Sequence, residues 1–140
     1  MAKGERLESR ARARALQALY AWDVRGTDGL EIIASRVWDD LGVGPEERRL
    51  AGQIVGVIIR EGADIDRELR TVTTNWRLER LGVIERTVLR LAAAELRRGE
   101  TPPKVVIQEA VRLAERYGSE QSARFVNGIV DALARRLGRL

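Results

Sequence analysis

Apolar side chains recur at the spacing of an α-helix along almost the whole chain. In residues 30–41 they occupy positions i, i+3, i+4, i+7, i+8 and i+11, which places them on one face of a helix. No stretch keeps the two-residue alternation of a half-buried β-strand. The pattern therefore predicts an all-α globular domain. We expect seven helical segments, at residues 5–25, 30–41, 45–62, 65–72, 83–96, 106–117 and 122–137, with one further turn within 76–81.

Length and composition limit what such a domain can do. The chain has 140 residues without a linker or a repeat, so we expect residues 1–140 to form one domain. It contains no Cys and no His, which excludes disulfides, thiolate or imidazole metal ligands, and any nucleophile activated by His. No carboxylate pair stands out as an acid and a base. We therefore expect no catalytic residue, metal or cofactor, and a protein that is not an enzyme.

The charge balance suits an anionic partner. Lys and Arg number 25 against 21 Asp and Glu, giving a net charge of +4. The acidic excess is confined to residues 26–66, so an anion-binding face should be built from the two ends of the chain. The basic N-terminus is not followed by an apolar signal region, and the longest apolar stretch, near Ile54 to Ile59, is too short to span a bilayer. A cytoplasmic protein without membrane contact is expected.

A row of arginines is predicted on the first helix. Arg6, Arg10 and Arg14 follow one another at intervals of four residues, which places them along one stripe roughly opposite the apolar Leu16 and Leu19. Arg12 points to the other side of the helix, so we expect it at the edge of a groove or in an ion pair. The stripe is either a solvated surface or a contact with nucleic acid, and the pattern leaves both open.

Residues 119–131, SEQSARFVNGIVD, contain the only Phe of the chain and two poor helix formers inside a helical pattern. One interpretation is that Gly128 lets another helix approach closely and that Asn127 caps or braces a neighbouring turn. The other is that Arg124 and Phe125 stand near the N-terminal end of a helix, where a phosphate and a stacked base would be bound. The pattern does not separate the two.

Four stretches of the chain resemble the family of the bacterial transcription antitermination factor NusB. They are RARARALQALYAWDV, NWRLERLGVIERTVLRLAAAEL, PPKVVIQEAVRLAERYG and SARFVNGIVDALA, at residues 10–24, 75–96, 102–118 and 122–134. The resemblance implies an all-helical fold of two small packed helical subdomains. It also implies that the protein pairs with NusE, a small-subunit ribosomal protein, and binds the boxA element of nascent RNA. The assembly would help RNA polymerase to read through terminators, notably in ribosomal RNA operons.

The resemblance also assigns residues to each partner. Those implied in RNA binding are Arg6, Arg10, Arg12, Arg14, Gln121, Arg124 and Phe125. Those implied in NusE binding are Arg80, Glu85 and Arg86, at the start of the helix predicted from residue 83. From the residues alone, an acidic side chain at this place is explained first by the helix dipole, which favours negative charge near a helix N-terminus whether or not a partner binds there.

Two alternatives stay open at this point. One is an RNA-recruiting domain like those attached to some RNA cytosine methyltransferases. The other is a structural homodimer that meets through an apolar edge around Trp76 and Leu81. Because some members of the family self-associate, a possible homodimer and the RNA-bound form would compete for the same protein.

Overall fold

The computed structural model describes residues 6–140. Within these residues the chain forms six α-helices and one short 3-10 helix, and no β-strand. The prediction of an all-α domain is confirmed. The α-helices are α1 (Leu7–Arg25), α2 (Leu30–Asp40), α3 (Pro45–Val72), α4 (Val83–Arg98), α5 (Pro103–Tyr117) and α6 (Glu120–Arg136), and the 3-10 helix is Leu78–Arg80.

Helix α3 is longer than the sequence pattern indicates. The two segments predicted at 45–62 and 65–72 are one helix, with a kink at Glu61, whose φ of −125° and ψ of 18° are not helical. The interruption predicted at Gly62 corresponds to this kink, one residue earlier, although helical geometry resumes directly beyond it. Ile65 and Leu69 are fully buried beyond the kink, so packing holds the chain helical there. Six α-helices replace the expected seven for this reason.

Local sequence signals fix most helix ends. α3 and α5 begin at Pro45 and Pro103, where the missing N–H of proline costs no helical hydrogen bond. α1 and α4 are each followed by a glycine in the left-handed region, Gly26 with φ of 39° and Gly99 with φ of 70°. At the start of α6, the Ser119 hydroxyl accepts a hydrogen bond from the backbone N–H of Ser122 at 3.0 Å.

The helices pack as two subdomains that share one core. α1, α2 and α3 form the first, α4, α5 and α6 form the second, and both α1 and α3 also pack against α4. The buried apolar residues of all six helices belong to one continuous cluster. Leu16 and Leu19 lie in it, as predicted for α1. No helix among residues 6–140 combines the length and the apolar character needed to cross a bilayer.

Candidate functional site

The arginine stripe of α1 is only partly open to solvent. Arg6 lies exposed at the start of the helix. Arg10 and Arg14 retain 43 % and 30 % of their side-chain exposure, and each donates from Nε to one carboxylate oxygen of Glu47 on α3, at 2.8 and 2.7 Å. Burial alone would raise the pKa of Glu47, but the hydrogen bonds from Arg14 and Arg10 hold that pKa below its usual value. Glu47 thus keeps two guanidinium groups side by side on the surface.

Arg12 lies inside the protein, in an ion pair. Its guanidinium donates to both carboxylate oxygens of Glu95 on α4, at 2.7 and 2.9 Å, and to Glu109 on α5 at 2.9 Å. The side chains of Arg12 and Glu95 are almost wholly buried. Burial opposes the charge of Arg12, but its contacts with Glu95 and Glu109 still raise the pKa of the guanidinium above its ordinary value. The paired position expected from helical geometry is therefore observed, and Arg12 joins α1 to α4 and α5.

The N-terminal half of α6 presents one face to solvent. Gln121 and Arg124 are exposed and Phe125 is half-buried. Asn127 and Gly128 are also exposed, and no described atom lies within 4 Å of a Cβ built on Gly128. The interpretation that Gly128 admits another helix of this chain is therefore wrong. The apolar face of α6, including Val126, Val130 and Leu133, is fully buried and holds the helix in spite of these two residues.

Phe125 forms an aromatic pair that the sequence pattern did not predict. Its ring meets the ring of Trp76 edge to face, with centroids 5.2 Å apart and an interplanar angle of 87°. The two rings border a surface pocket of about 340 Å³. We call it the aromatic pocket, and it is lined by Trp76, Leu81, Glu85, Ser119, Gln121, Ser122 and Phe125. The available signal was Trp76 itself, a large aromatic residue in a polar break between helices.

The residues at the start of α4 take different positions. Glu85 is half-buried, and its carboxylate accepts a hydrogen bond from the Ser122 hydroxyl of α6, so it lies in the aromatic pocket. Arg86 is turned inward, where it donates to both carboxylate oxygens of Asp23 on α1, at 2.8 and 2.5 Å, and to the Leu81 carbonyl at 2.7 Å. Arg80 is exposed. The structure thus brings Glu85 and Phe125 together and separates Arg86 from that surface.

A second surface pocket was also not predicted from the sequence. It has a volume of about 360 Å³ and is lined by Leu16, Gln17, Tyr20, Ile84 and Tyr117. Helical spacing places Tyr20 on the same face of α1 as Leu16 and Leu19, but unlike them it is exposed. Ile84 lines this pocket and Glu85 lines the aromatic pocket, so the first turn of α4 contributes one residue to each. The only sequence signal for this pocket was Tyr20, an aromatic residue at the edge of the apolar face of α1.

Sequence similarity identifies the family of the protein that carries this surface. Residues 9–135 match the NusB family. The chain belongs to the NusB family. Among its relatives is the transcription antitermination protein NusB of Sorangium cellulosum (strain So ce56), which is 43 % identical over 133 residues that make up 94 % of each chain. The resemblance to NusB drawn from the four sequence stretches is confirmed.

Solved NusB structures share the whole fold. NusB of T. maritima superposes with a TM-score of 0.85 at 33 % sequence identity, covering 96 % of this chain and 93 % of that one. A chain from a crystal structure of the antitermination factors NusB and NusE in complex with double-stranded RNA superposes with a TM-score of 0.86 at 28 % identity, covering 95 % and 99 %. The NusB arrangement of two packed helical subdomains is therefore confirmed for this chain.

Proposed function

We propose that this NusB-family protein is a transcription antitermination factor that binds boxA RNA together with NusE. It acts in the cytoplasm as part of the RNA polymerase antitermination complex, supports read-through of terminators, notably in ribosomal RNA operons, and catalyses no reaction. The observation that carries the proposal is its similarity, over 95 % of its length, to a chain solved in a complex of NusB, NusE and RNA. This chain matches antitermination proteins over 94 % and 89 % of their own length. That match favours this role over an RNA-recruiting domain of a methyltransferase.

The RNA-binding face combines guanidinium groups with an aromatic ring. Arg6, Arg10 and Arg14 offer donors to phosphates, because guanidinium forks match phosphate oxygens. Phe125 offers a half-exposed ring to a base, with the exposed Gln121 and Arg124 of the same helix beside it. Arg12 contributes from within the protein, since its ion pairs fix α1 on α4 and α5 and so set the direction of the arginine stripe.

The NusE-binding face is centred on the start of α4. Arg80 and Glu85 present one positive and one negative group there, which suits a partner with charges of both signs. Arg86 supports this surface from behind, because its bonds to Asp23 and to the Leu81 carbonyl hold the connector before α4 in place. Glu85 also lies in the aromatic pocket, so the NusE and RNA faces meet at that pocket.

A salt series of RNA binding tests the proposal. A short boxA-containing RNA and a scrambled RNA of equal length are titrated with the protein alone and with NusE added. We expect preference for boxA, tighter binding with NusE, and a slope of log affinity against log salt of roughly −2 to −3, from three or four phosphate contacts to a single strand. Equal, weak binding of both RNAs, with and without NusE, contradicts the proposal. Sedimentation over the same concentrations then decides whether the protein is instead a structural homodimer.

A further inference from the structure

Trp76 is the most exposed aromatic residue described in this structure, and nothing in the proposed function uses it. It stands on the connector between α3 and α4, where 52 % of the residue remains accessible. Its ring packs edge to face with the ring of Phe125. Together with the ring of Phe125, the indole forms an aromatic patch beside a proposed RNA contact, and contiguous exposed patches of this kind mark binding sites.

Open space lies on two sides of Trp76. The aromatic pocket, of about 340 Å³, is on the side of Phe125, and a second pocket of about 410 Å³ is on the side of the connector. Both volumes fall within the range of small-molecule binding pockets. Each also contains groups that can hydrogen-bond to the edge of a base: Gln121 and Glu85 in the first, and Thr74 and Asn75 in the second.

The charge around Trp76 suits a nucleic acid better than a second copy of this chain. Arg77 and Arg80 are exposed on the same connector, and the carboxylate of Glu79 between them is paired with Arg70 at 2.7 Å. In a two-fold symmetric dimer the same patch meets itself, so these cations would be brought near their own copies. The cores of protein interfaces are also depleted in charged residues. RNA phosphates would instead be attracted by Arg77, which lines the pocket beside the indole, and the bases would be placed next to the indole.

We propose that Trp76 is a second base-stacking residue, which binds a nucleobase of single-stranded RNA next to the base bound by Phe125. The inference rests on the proposed function and adds a separate binding site to it. The angle of 87° between the rings has a consequence for the RNA. Two bases that each stack on one of these rings cannot stack on each other, so the strand turns between them. Such splayed bases are available in single-stranded RNA and not within a duplex.

Removal of single bases from the RNA tests the inference. Wild-type protein, Trp76→Leu and Phe125→Leu are titrated with boxA-containing RNA and with a set of RNAs that each carry one abasic site. Leu keeps an apolar side chain at position 76 without an aromatic face. The matched control is Leu41→Ala, which changes a similarly exposed apolar residue at the C-terminal end of α2. Thermal unfolding of each variant establishes that it is folded.

We expect Trp76→Leu to weaken binding about 5- to 150-fold, the range of one lost base–aromatic stack. At one position of the RNA, loss of the base should weaken binding to wild type but not further weaken binding to Trp76→Leu. That position should differ from the one coupled to Phe125. Trp76→Phe should restore most of the affinity, and Leu41→Ala should bind as wild type does.

Three results overturn the inference, and they are distinguishable. If wild type binds boxA RNA and Trp76→Leu binds it equally well, with no coupled base, the proposed function stands and the Trp76 site does not. If Trp76→Leu instead converts a dimer to a monomer in sedimentation and leaves RNA affinity unchanged, the indole belongs to an interface between copies. If wild type does not distinguish boxA from scrambled RNA, the proposed function fails and the site fails with it.

Discussion

Replacement of Arg12 by Met should cost the protein about 3–5 kcal/mol of folding free energy. The side chains of Arg12 and Glu95 are only 8 % and 3 % exposed, so solvent cannot compensate for a lost partner. Arg12→Met removes three charge-assisted hydrogen bonds of 2.7 to 2.9 Å and leaves the Glu95 carboxylate in the core. The only other hydrogen bond described for the Glu95 carboxylate comes from the Thr101 hydroxyl at 3.4 Å, too long to offset that loss.

Urea denaturation followed by circular dichroism measures this cost as the free energy of unfolding. The double variant Arg12→Met with Glu95→Leu should recover more than half of the loss, since it leaves no buried carboxylate without a partner at position 95. Arg67→Met is the control, because Arg67 is an exposed residue paired with Asp64 and its loss should cost less than about 1 kcal/mol. If Arg12→Met is as stable as this control, and its RNA affinity falls instead, Arg12 meets RNA directly and the reasoning is refuted.

Three further predictions concern the RNA face and the response to acid. Changing both Arg10 and Arg14 to Gln should weaken boxA binding and reduce its salt slope by about 1.4, at 0.7 per lost phosphate contact, with helicity unchanged. The control Arg67→Gln should change neither the affinity nor the salt slope. A loss of helicity in parallel with the loss of binding would show that the stripe is structural. Phe125→Leu should weaken RNA binding by about 1–3 kcal/mol while the free energy of unfolding changes by less than about 1.5 kcal/mol, and the reverse pattern would place Phe125 in the core only. Hydrogen bonds from its arginine partners hold the pKa of Asp23 below its ordinary value of 3.8 in spite of burial. The unfolded chain therefore binds that proton more readily, so the free energy of unfolding should fall as pH drops below about 4. Asp23→Asn should make this fall at acid pH less steep, and an unchanged fall would refute the assignment.

Helix bounds were largely predictable because their signals are local. Pro45 begins α3 as predicted, and Gly26 and Gly99 follow α1 and α4. α5 begins at Pro103, three residues before the predicted start at 106. The kink at Glu61 lies one residue before the break predicted at Gly62, but the continuation of one helix beyond it was not predictable in this way. It depends on burial of the residues beyond it by other helices, and that burial keeps one long helix where the local pattern indicated two.

The candidate site was predictable as a set of residues but not as a surface. Helical spacing placed Arg10 and Arg14 on one side of α1 and Arg12 on the other, and the structure agrees. Spacing within one helix cannot identify partners from distant segments, such as Glu47 for the arginine stripe or Asp23 for Arg86. For the same reason, the sequence did not show that Arg86 turns inward or that Trp76 meets Phe125.

By itself, the sequence determined the all-α class, most helix ends, the family and the basic character of the first helix. These properties depend on residue type and on spacings of a few residues, which the printed chain already contains. Tertiary structure alone decided which charges remain open to a ligand. Packing α1 against α3, α4 and α5 buries Arg12 and brings Glu47 to the arginine stripe, while packing α6 beside α4 joins Glu85, Phe125 and Trp76 in one pocket. Exposure and pairing arise from contacts between segments far apart in the chain, so they become defined only when the helices assemble.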